Sequence, residues 1–359
     1  MAVVNLTALL VLLSIIAGLV CFVWWRISDV IPFLYPTGVI MAKEAKLLDD
    51  SRFEELTLLP FEDFPSFFEN TEYGKYIEAA SYEEIERGLL LFKKDLRYEI
   101  FDLIPDKFND IFAFLVKEWD VINLRTVLTG VHAGLSAEEV RSRLIDEGEM
   151  FEKISNLAGE EIDKIASTFE GTPLEVAIGE YNRVKDFSGV DVALGKWVLE
   201  DTFTKLDGRR EKGLRVFKKY LEIYTDCLNL KTMLRGKEGS ATEEEIKTFL
   251  LGAEEVPRVY GETEGVKEFL ERMRETRYGY LIVEVDEDVM MMEHRIDEAM
   301  LSAVKRLSSE EAFGFGPIIR FLTLKDTEIR NLRAIAKLKA EGVGIDRIKG
   351  TVFRLGEEA

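Results

Sequence analysis

Three segments of this chain carry one pattern at long spacing. Residues 119–130 read WDVINLRTVLTG, residues 225–236 read TDCLNLKTMLRG, and residues 328–337 read EIRNLRAIAK. Each holds an acid, two spacers, Asn, Leu and a cation: Asp120, Asn123, Leu124 and Arg125; Asp226, Asn229, Leu230 and Lys231; Glu328, Asn331, Leu332 and Arg333. A match this short arises by chance, so the flanks decide. Gly130 and Gly236 each follow the Asn by seven residues, where glycine past a helical run is the usual left-handed stop. Six residues further come Ser136-x-x-Glu139 and Thr242-x-x-Glu245, capping boxes that open a new helix. The third copy has Leu338 for the glycine and Gly344 for the cap, but Val140, Ile246 and Ile348 all lie 17 residues after the motif Asn. The Asn residues are 106 and 102 apart. That exceeds a solenoid unit of about 20–50 residues and suits a small domain. The expectation is three similar helical domains, 43–145, 146–250 and 251–359.

The texture between the copies is helical. Tyr82, Ile85, Leu89, Phe92, Leu96 and Ile100 step by three and four, one face of an α-helix. Ile111, Leu115, Trp119 and Ile122 continue the rhythm, and Phe217, Tyr220, Leu221, Tyr224 and Leu228 repeat it. Helical stretches at 82–100, 190–206 and 288–307 precede the three copies at similar distance. Two-residue alternation is rare; Tyr280 to Val285 is the best candidate for a short strand or a buried turn. Eight prolines and a Glu- and Leu-rich chain favour helix. With 47% apolar and 32% charged residues the body can bury a core. The net charge of −20 repels phosphate backbones and argues against nucleic acid; it is that of a solvated surface, or of one that meets a basic protein partner.

The front end differs. Leu6 to Trp25 is a run of 20 residues with no charged side chain, and about 20 apolar residues cross a bilayer as a helix. Trp24-Trp25 followed by Arg26 reads as an interfacial ending. No positive charge precedes the run and no cleavage pattern follows it, which favours an uncleaved transmembrane anchor (1–26) over a secretory signal. Arg26, Lys43 and Lys46 follow the span, so the positive-inside rule places the body on the cytoplasmic side of the cell membrane. Residues 27–42 form a linker in which Pro32 and Pro36 break any continuous helix.

A search for chemistry returns nothing. Cys21 and Cys227 form no CxxC and support neither a disulfide framework nor a cysteine metal site. His132 and His294 have no clustered partners. Gly208-Arg-Arg-Glu-Lys-Gly213 has P-loop glycine spacing without the following Lys-Ser/Thr, and Gly314-Phe-Gly316-Pro317 reads as a helix-breaking turn rather than a dinucleotide loop. No GxSxG is present, and no carboxylate pair stands out as acid and base. No catalytic, cofactor-binding or metal residues are assigned. The triplicated Asp120, Asn123, Arg125, Asp226, Asn229, Lys231, Glu328, Asn331 and Arg333 read as structural. Leu124 and Leu128 pack while Asn123 can hydrogen-bond a neighbouring helix or loop end, and an enzyme rarely needs three copies of one site with a degraded third.

These residues resemble the C subunit of archaeal A-type (V/A-type) ATP synthases, the homologue of the d subunit of vacuolar-type ATPases. The likeness covers about 35–359. It is strongest where Gly316-Pro317-Ile318-Ile319-Arg320 leads into Leu324-Lys325-Asp326-Thr327-Glu328-Ile329-Arg330-Asn331-Leu332-Arg333, then Lys337 and Gly342. Trp119-Asp120 to Leu128 resembles the family's first copy, and Tyr35, Lys43 to Leu48 and Glu69 to Tyr73 its opening. The segment Thr37-Gly38-Val39-Ile40-Met41 departs from the family's polar, arginine-bearing start, and many members lack the long apolar N-terminus. The resemblance implies an all-α protein of three similar helical domains, arranged as a funnel with pseudo-threefold symmetry, to which the sequence adds one N-terminal transmembrane helix. It implies a non-catalytic central-stalk (rotor) protein without cofactors, which couples the membrane ring of ion-carrying proteolipids to the D and F subunits of the central shaft. The catalytic A and B subunits and the membrane stator complete the assembly, which makes ATP and transports protons or sodium ions. An anchor that turns with the ring is expected inside the ring's lumen, unless the segment is removed in maturation. The alternative is a membrane-tethered helical scaffold that gathers cytoplasmic partners.

Overall fold

The computed structural model describes residues 2–28, 30–172, 174–175, 178–179, 188–211, 213–252 and 256–355. Among them every regular element is helical, in line with the all-α expectation. The front of the chain holds α1 (Ala2–Ile27), α2 (Ile31–Glu44), α3 (Asp50–Leu58), α4 (Phe64–Glu69), α5 (Tyr82–Leu103) and α6 (Asn109–Phe112). The first motif helix, α7 (Phe114–His132), is followed by α8 (Ala137–Arg143), α9 (Phe151–Ser155) and α10 (Ile162–Thr168). Next come α11 (Ser188–Leu206), the second motif helix α12 (Leu214–Glu238), α13 (Glu243–Phe249), α14 (Arg258–Glu262) and α15 (Val266–Met273). The chain closes with α16 (Val289–Ser309), the third motif helix α17 (Phe315–Ala340) and α18 (Ile345–Lys349).

The long helices start and pack for local reasons. Ser81 caps α5 by accepting the Glu84 N–H, and Asp288 caps α16 by accepting the Met291 N–H. Ile85, Leu89, Phe92, Leu96 and Ile100 form the buried stripe of α5. The segment 280–285 forms no strand: a single 3-10 turn spans Arg277–Leu281, and Tyr278, Leu281 and Ile282 are buried.

The three apolar cores are offset from the repeat. One joins residues 124–194, from the first motif helix to the start of α11. Another joins residues 227–299, from the second motif helix to the start of α16. The largest unites both ends of the chain: Phe33 to Leu115 lie in one cluster with Leu301 to Leu355, and Leu199 to Leu221 join them. Each motif helix therefore packs on the first long helix of the copy that follows, α7 on α11, α12 on α16, and α17 on α5. The motif helices begin at an aromatic hub, where Phe112 stacks on Phe217 (4.7 Å) and on Phe315 (4.8 Å) while Phe33 meets Phe315 edge-on at 4.9 Å.

Two expectations are corrected. Among the described residues no helix is long and apolar enough to cross a membrane. α1 is helical over 26 residues. The Leu6, Thr7 and Trp25 side chains of the expected span lie outside those described. The transmembrane helix, the single-pass membrane placement with a cytoplasmic body, and the position in a ring lumen all rested on that span and fall with it. The proline linker is also helix: α2 runs through Pro36. Pro32 sits in the first turn, where its missing N–H is no loss. Pro36 forfeits one bond, but Phe33, Thr37 and Ile40, each at most 2% exposed, hold α2 against α17.

Candidate functional site

Every motif Asn does the same thing. Asn123 Nδ2 donates to the Ile145 carbonyl and its Oδ1 accepts the Ile145 N–H, both at 2.8 Å. Asn229 clasps Leu251 in this way (3.1 and 2.7 Å) and Asn331 clasps Phe353 (2.8 and 2.9 Å). Each partner lies 22 residues downstream, and all three Asn are fully buried. A carboxamide presents one donor and one acceptor side by side, which matches the N–H and C=O of one extended residue. The clasp ties the segment after each short helix back onto its motif helix.

The glycine reading is revised. Gly130 and Gly236 lie inside α7 and α12, not past their ends. A Cβ on Gly130 would stand 2.4 Å from Val140 Cγ2, and one on Gly236 2.2 Å from Ile246 Cδ1. These glycines let the capped short helix approach. The stop comes four residues later, eleven after the Asn, in all three copies: Gly134 (φ 68°), Ser240 (φ 57°) and Gly342 (φ 71°). The bonds Leu135 N–H to Gly130 C=O, Ala241 N–H to Gly236 C=O and Val343 N–H to Leu338 C=O close identical Schellman ends at 2.8–2.9 Å. The shared offset was in the sequence; serine in the second copy hid it. Both capping boxes form. Gly344 stands at the third cap with no side chain to offer.

The acids diverge. Asp120 accepts the Glu149 and Met150 N–H groups at 3.1 and 2.9 Å. Burial pushes its carboxyl up to about 6, against the pull of the Met150 and Glu149 N–H bonds. Asp226 takes Arg277 (2.9 Å) and the Tyr280 hydroxyl (3.1 Å). Glu328, fully buried, accepts the Leu48 N–H (2.9 Å), the Tyr73 hydroxyl and Lys325 Nζ (2.8 Å). Burial and then the Glu328 charge raise the Tyr73 hydroxyl well above its usual range. Of the cations, Lys231 pairs with Asp297 (2.8 Å) and Arg333 with Glu86, each on the first helix of the next copy, and Arg125 is exposed.

A second cluster joins the first and third copies. Arg97 and Lys93 of α5 reach both Glu118 of α7 and Asp326 of α17. Burial alone would raise the Asp326 carboxyl; the Arg97 and Lys93 charges outweigh it and hold the group low. Glu118 and Asp326 each stand five residues before the motif Asn, where the second copy has Tyr224.

His132 is exposed at the end of α7, and His294 stacks on Phe353 at 4.1 Å. Cys227 is buried, which pushes its thiol up to about 12, and Cys21 is exposed. The P-loop-like segment holds Arg209 against Asp110 and Glu211, with Lys212 outside the described residues. Gly314 (φ 140°) lies in the break between α16 and α17, and Phe315-Gly316-Pro317 opens α17. Among the described residues no group of His, Cys, Asp or Glu could hold a metal ion.

The chain matches the family model described as ATP synthase (C/AC39) subunit over residues 36–351. It is 28% identical to the A-type ATP synthase C subunit of Methanocaldococcus jannaschii, over 98% of this chain and 94% of that one. It is 27% identical to the C subunit of Thermococcus kodakarensis (92% and 94% covered) and 25% identical to that of Methanosphaera stadtmanae (92% and 90%). With a match across nearly the whole body, the chain belongs to the ATP synthase (C/AC39) subunit family.

Proposed function

We propose that this chain is a non-catalytic central-stalk component of a rotary A-type ATP synthase, which couples the ion-carrying ring to the central shaft. Its partners on this reading are the proteolipid ring and the D and F shaft subunits, in an assembly with the catalytic A and B subunits and the membrane stator. ATP synthesis and proton or sodium transport then belong to the whole complex. The observation that carries the reading is the closure of the chain on itself. A part that passes torque between two interfaces needs a load path with no loose end. Here the third motif helix grips the first copy through Glu328 to Leu48, Arg320 to Glu44 (2.9 Å) and Lys339 to the Leu59 carbonyl (2.9 Å). On this reading 43–145, 146–250 and 251–359 are units of the sequence repeat, joined by cores that each span the end of one unit and the start of the next.

The test is mass spectrometry of what co-purifies with the tagged full chain from gently solubilised membranes. Recovery of a proteolipid and the D, F, A and B subunits with one copy of this chain is the expected result. An intact rotary ATP synthase that purifies without it, while the chain emerges alone or with unrelated proteins, overturns the proposal.

A further inference from the structure

The start of α16 carries apolar side chains that the fold does not ask for. α5 and α16 are equivalent first helices and align from their caps. Ser81 matches Asp288, and the buried Ile85 and Leu89 match the buried Met292 and Ile296. At the two exposed positions between, α5 has Glu83 and Glu84, and α16 has Met290 and Met291. Glutamate therefore satisfies the same helix start, yet here two methionines stand 68% and 42% exposed. Val283, 65% exposed, lies on the loop before α16: Arg274, at the end of α15, bonds its carbonyl at 3.3 Å, and Arg295, one turn after Met291, ties Glu284 (3.3 Å) and Asp286 (3.8 Å) of that loop to α16. The surrounding charge is mostly acidic. Glu284 and Glu287 side chains are 70% and 76% exposed, with Asp286 and Asp288 beside them; Arg274, Arg295 and Lys267 are the cations, and Lys267 lies 3.8 Å from Glu287.

We infer that Val283, Met290 and Met291, with their acidic rim, form a docking surface for a basic amphipathic helix of a partner protein. The apolar stripe of such a helix covers the methionines, whose unbranched thioethers adapt to an incoming surface. Its flanking lysines or arginines meet Glu284, Asp286 and Glu287. An acidic helix is repelled by the exposed Glu284 and Glu287, and an apolar one gains nothing from them. The surface is distinct from the closure that carries the proposed assembly, and it stands or falls separately.

The probe is a fluorescent 18-residue peptide with leucines on one helical face and lysines on the other, titrated into the full chain and followed by anisotropy. A scrambled peptide of the same composition is the control. Met290→Glu with Met291→Glu restores the residues that α5 carries, so the fold is expected to hold, and circular dichroism checks it. This variant adds negative charge, so electrostatics alone predicts tighter binding. The inference predicts binding weaker by about tenfold or more, from loss of two buried side chains, and weaker binding again in Glu284→Gln with Glu287→Gln. It also predicts that the peptide slows peroxide oxidation of Met290 and Met291. Equal or tighter binding to the methionine variant, equal binding of the scrambled peptide, or unchanged oxidation overturns it.

Discussion

At the residue scale the repeat is a hydrogen-bonding device, and its cost of removal is predictable. Replacing Asn123, Asn229 or Asn331 with Ala leaves a buried N–H and C=O without partners in Ile145, Leu251 or Phe353. Each substitution is expected to lower unfolding stability by about 2–4 kcal/mol, measured by urea titration; a loss under about 0.5 kcal/mol at all three would show that the clasps contribute nothing. Asp120 adds a pH signature. Its folded-state carboxyl titrates near 6 against an ordinary 3.8, so between those values the native chain binds more protons than the unfolded one. Its stabilising contribution is then greatest at low pH and fades as pH rises through about 6. Asp120→Asn removes this titration, so the wild type should gain on the variant as pH falls from 7 to 4. A stability difference flat over that range would refute the assignment. The recurrence of the Asn was legible in the sequence; the residue that each one grips was not, because a carboxamide can pair with any backbone N–H and C=O the fold brings to it.

At the element scale the two glycine positions separate two physical demands. Gly236→Ala gains about 1 kcal/mol of helix propensity but sets a Cβ 2.2 Å from Ile246 Cδ1 and 2.7 Å from the Tyr260 hydroxyl. A net loss of about 1–3 kcal/mol is expected, and trimming Ile246 to Val in the same chain should recover part of it. Ser240→Gly relieves a left-handed residue (φ 57°) and should add about 1 kcal/mol. Thermal unfolding reads both; stabilisation by Gly236→Ala would show that α12 and α13 are not tightly opposed. The sequence placed the stop at Gly130 and Gly236 because glycine marks both uses alike. Proline in α2 misled in the same way: a helix breaker judged locally gives way when Phe33 and Ile40 bury against a partner from the far end of the chain.

At the scale of the molecule the seam between the chain ends is the feature to test. Removing residues 345–359 deletes Phe353, the partner of Asn331, and Leu355, whose N–H bonds Asp50. Hydrogen exchange should then rise in 48–73 more than in 124–194 or 227–299; a uniform rise, or none, would refute the shared core. Glu328→Gln should act through the same seam, at about 3–5 kcal/mol, because it leaves Lys325, 1% exposed, with Glu72 alone. The sequence by itself determined the helical class, the triplication, the capped short helices and the family. The helical class and the capped short helices follow from periodicity and local bonding, which act within a few turns; the triplication and the family are read from which residues recur. Only the tertiary structure decided that Asn reaches a residue 22 further on, that each core is shared between successive copies, and that the third core is assembled from both ends of the chain. Those depend on contacts such as Glu328 to Leu48, 280 residues apart, which no local pattern encodes, because the energy of burial depends on what arrives from elsewhere in the fold.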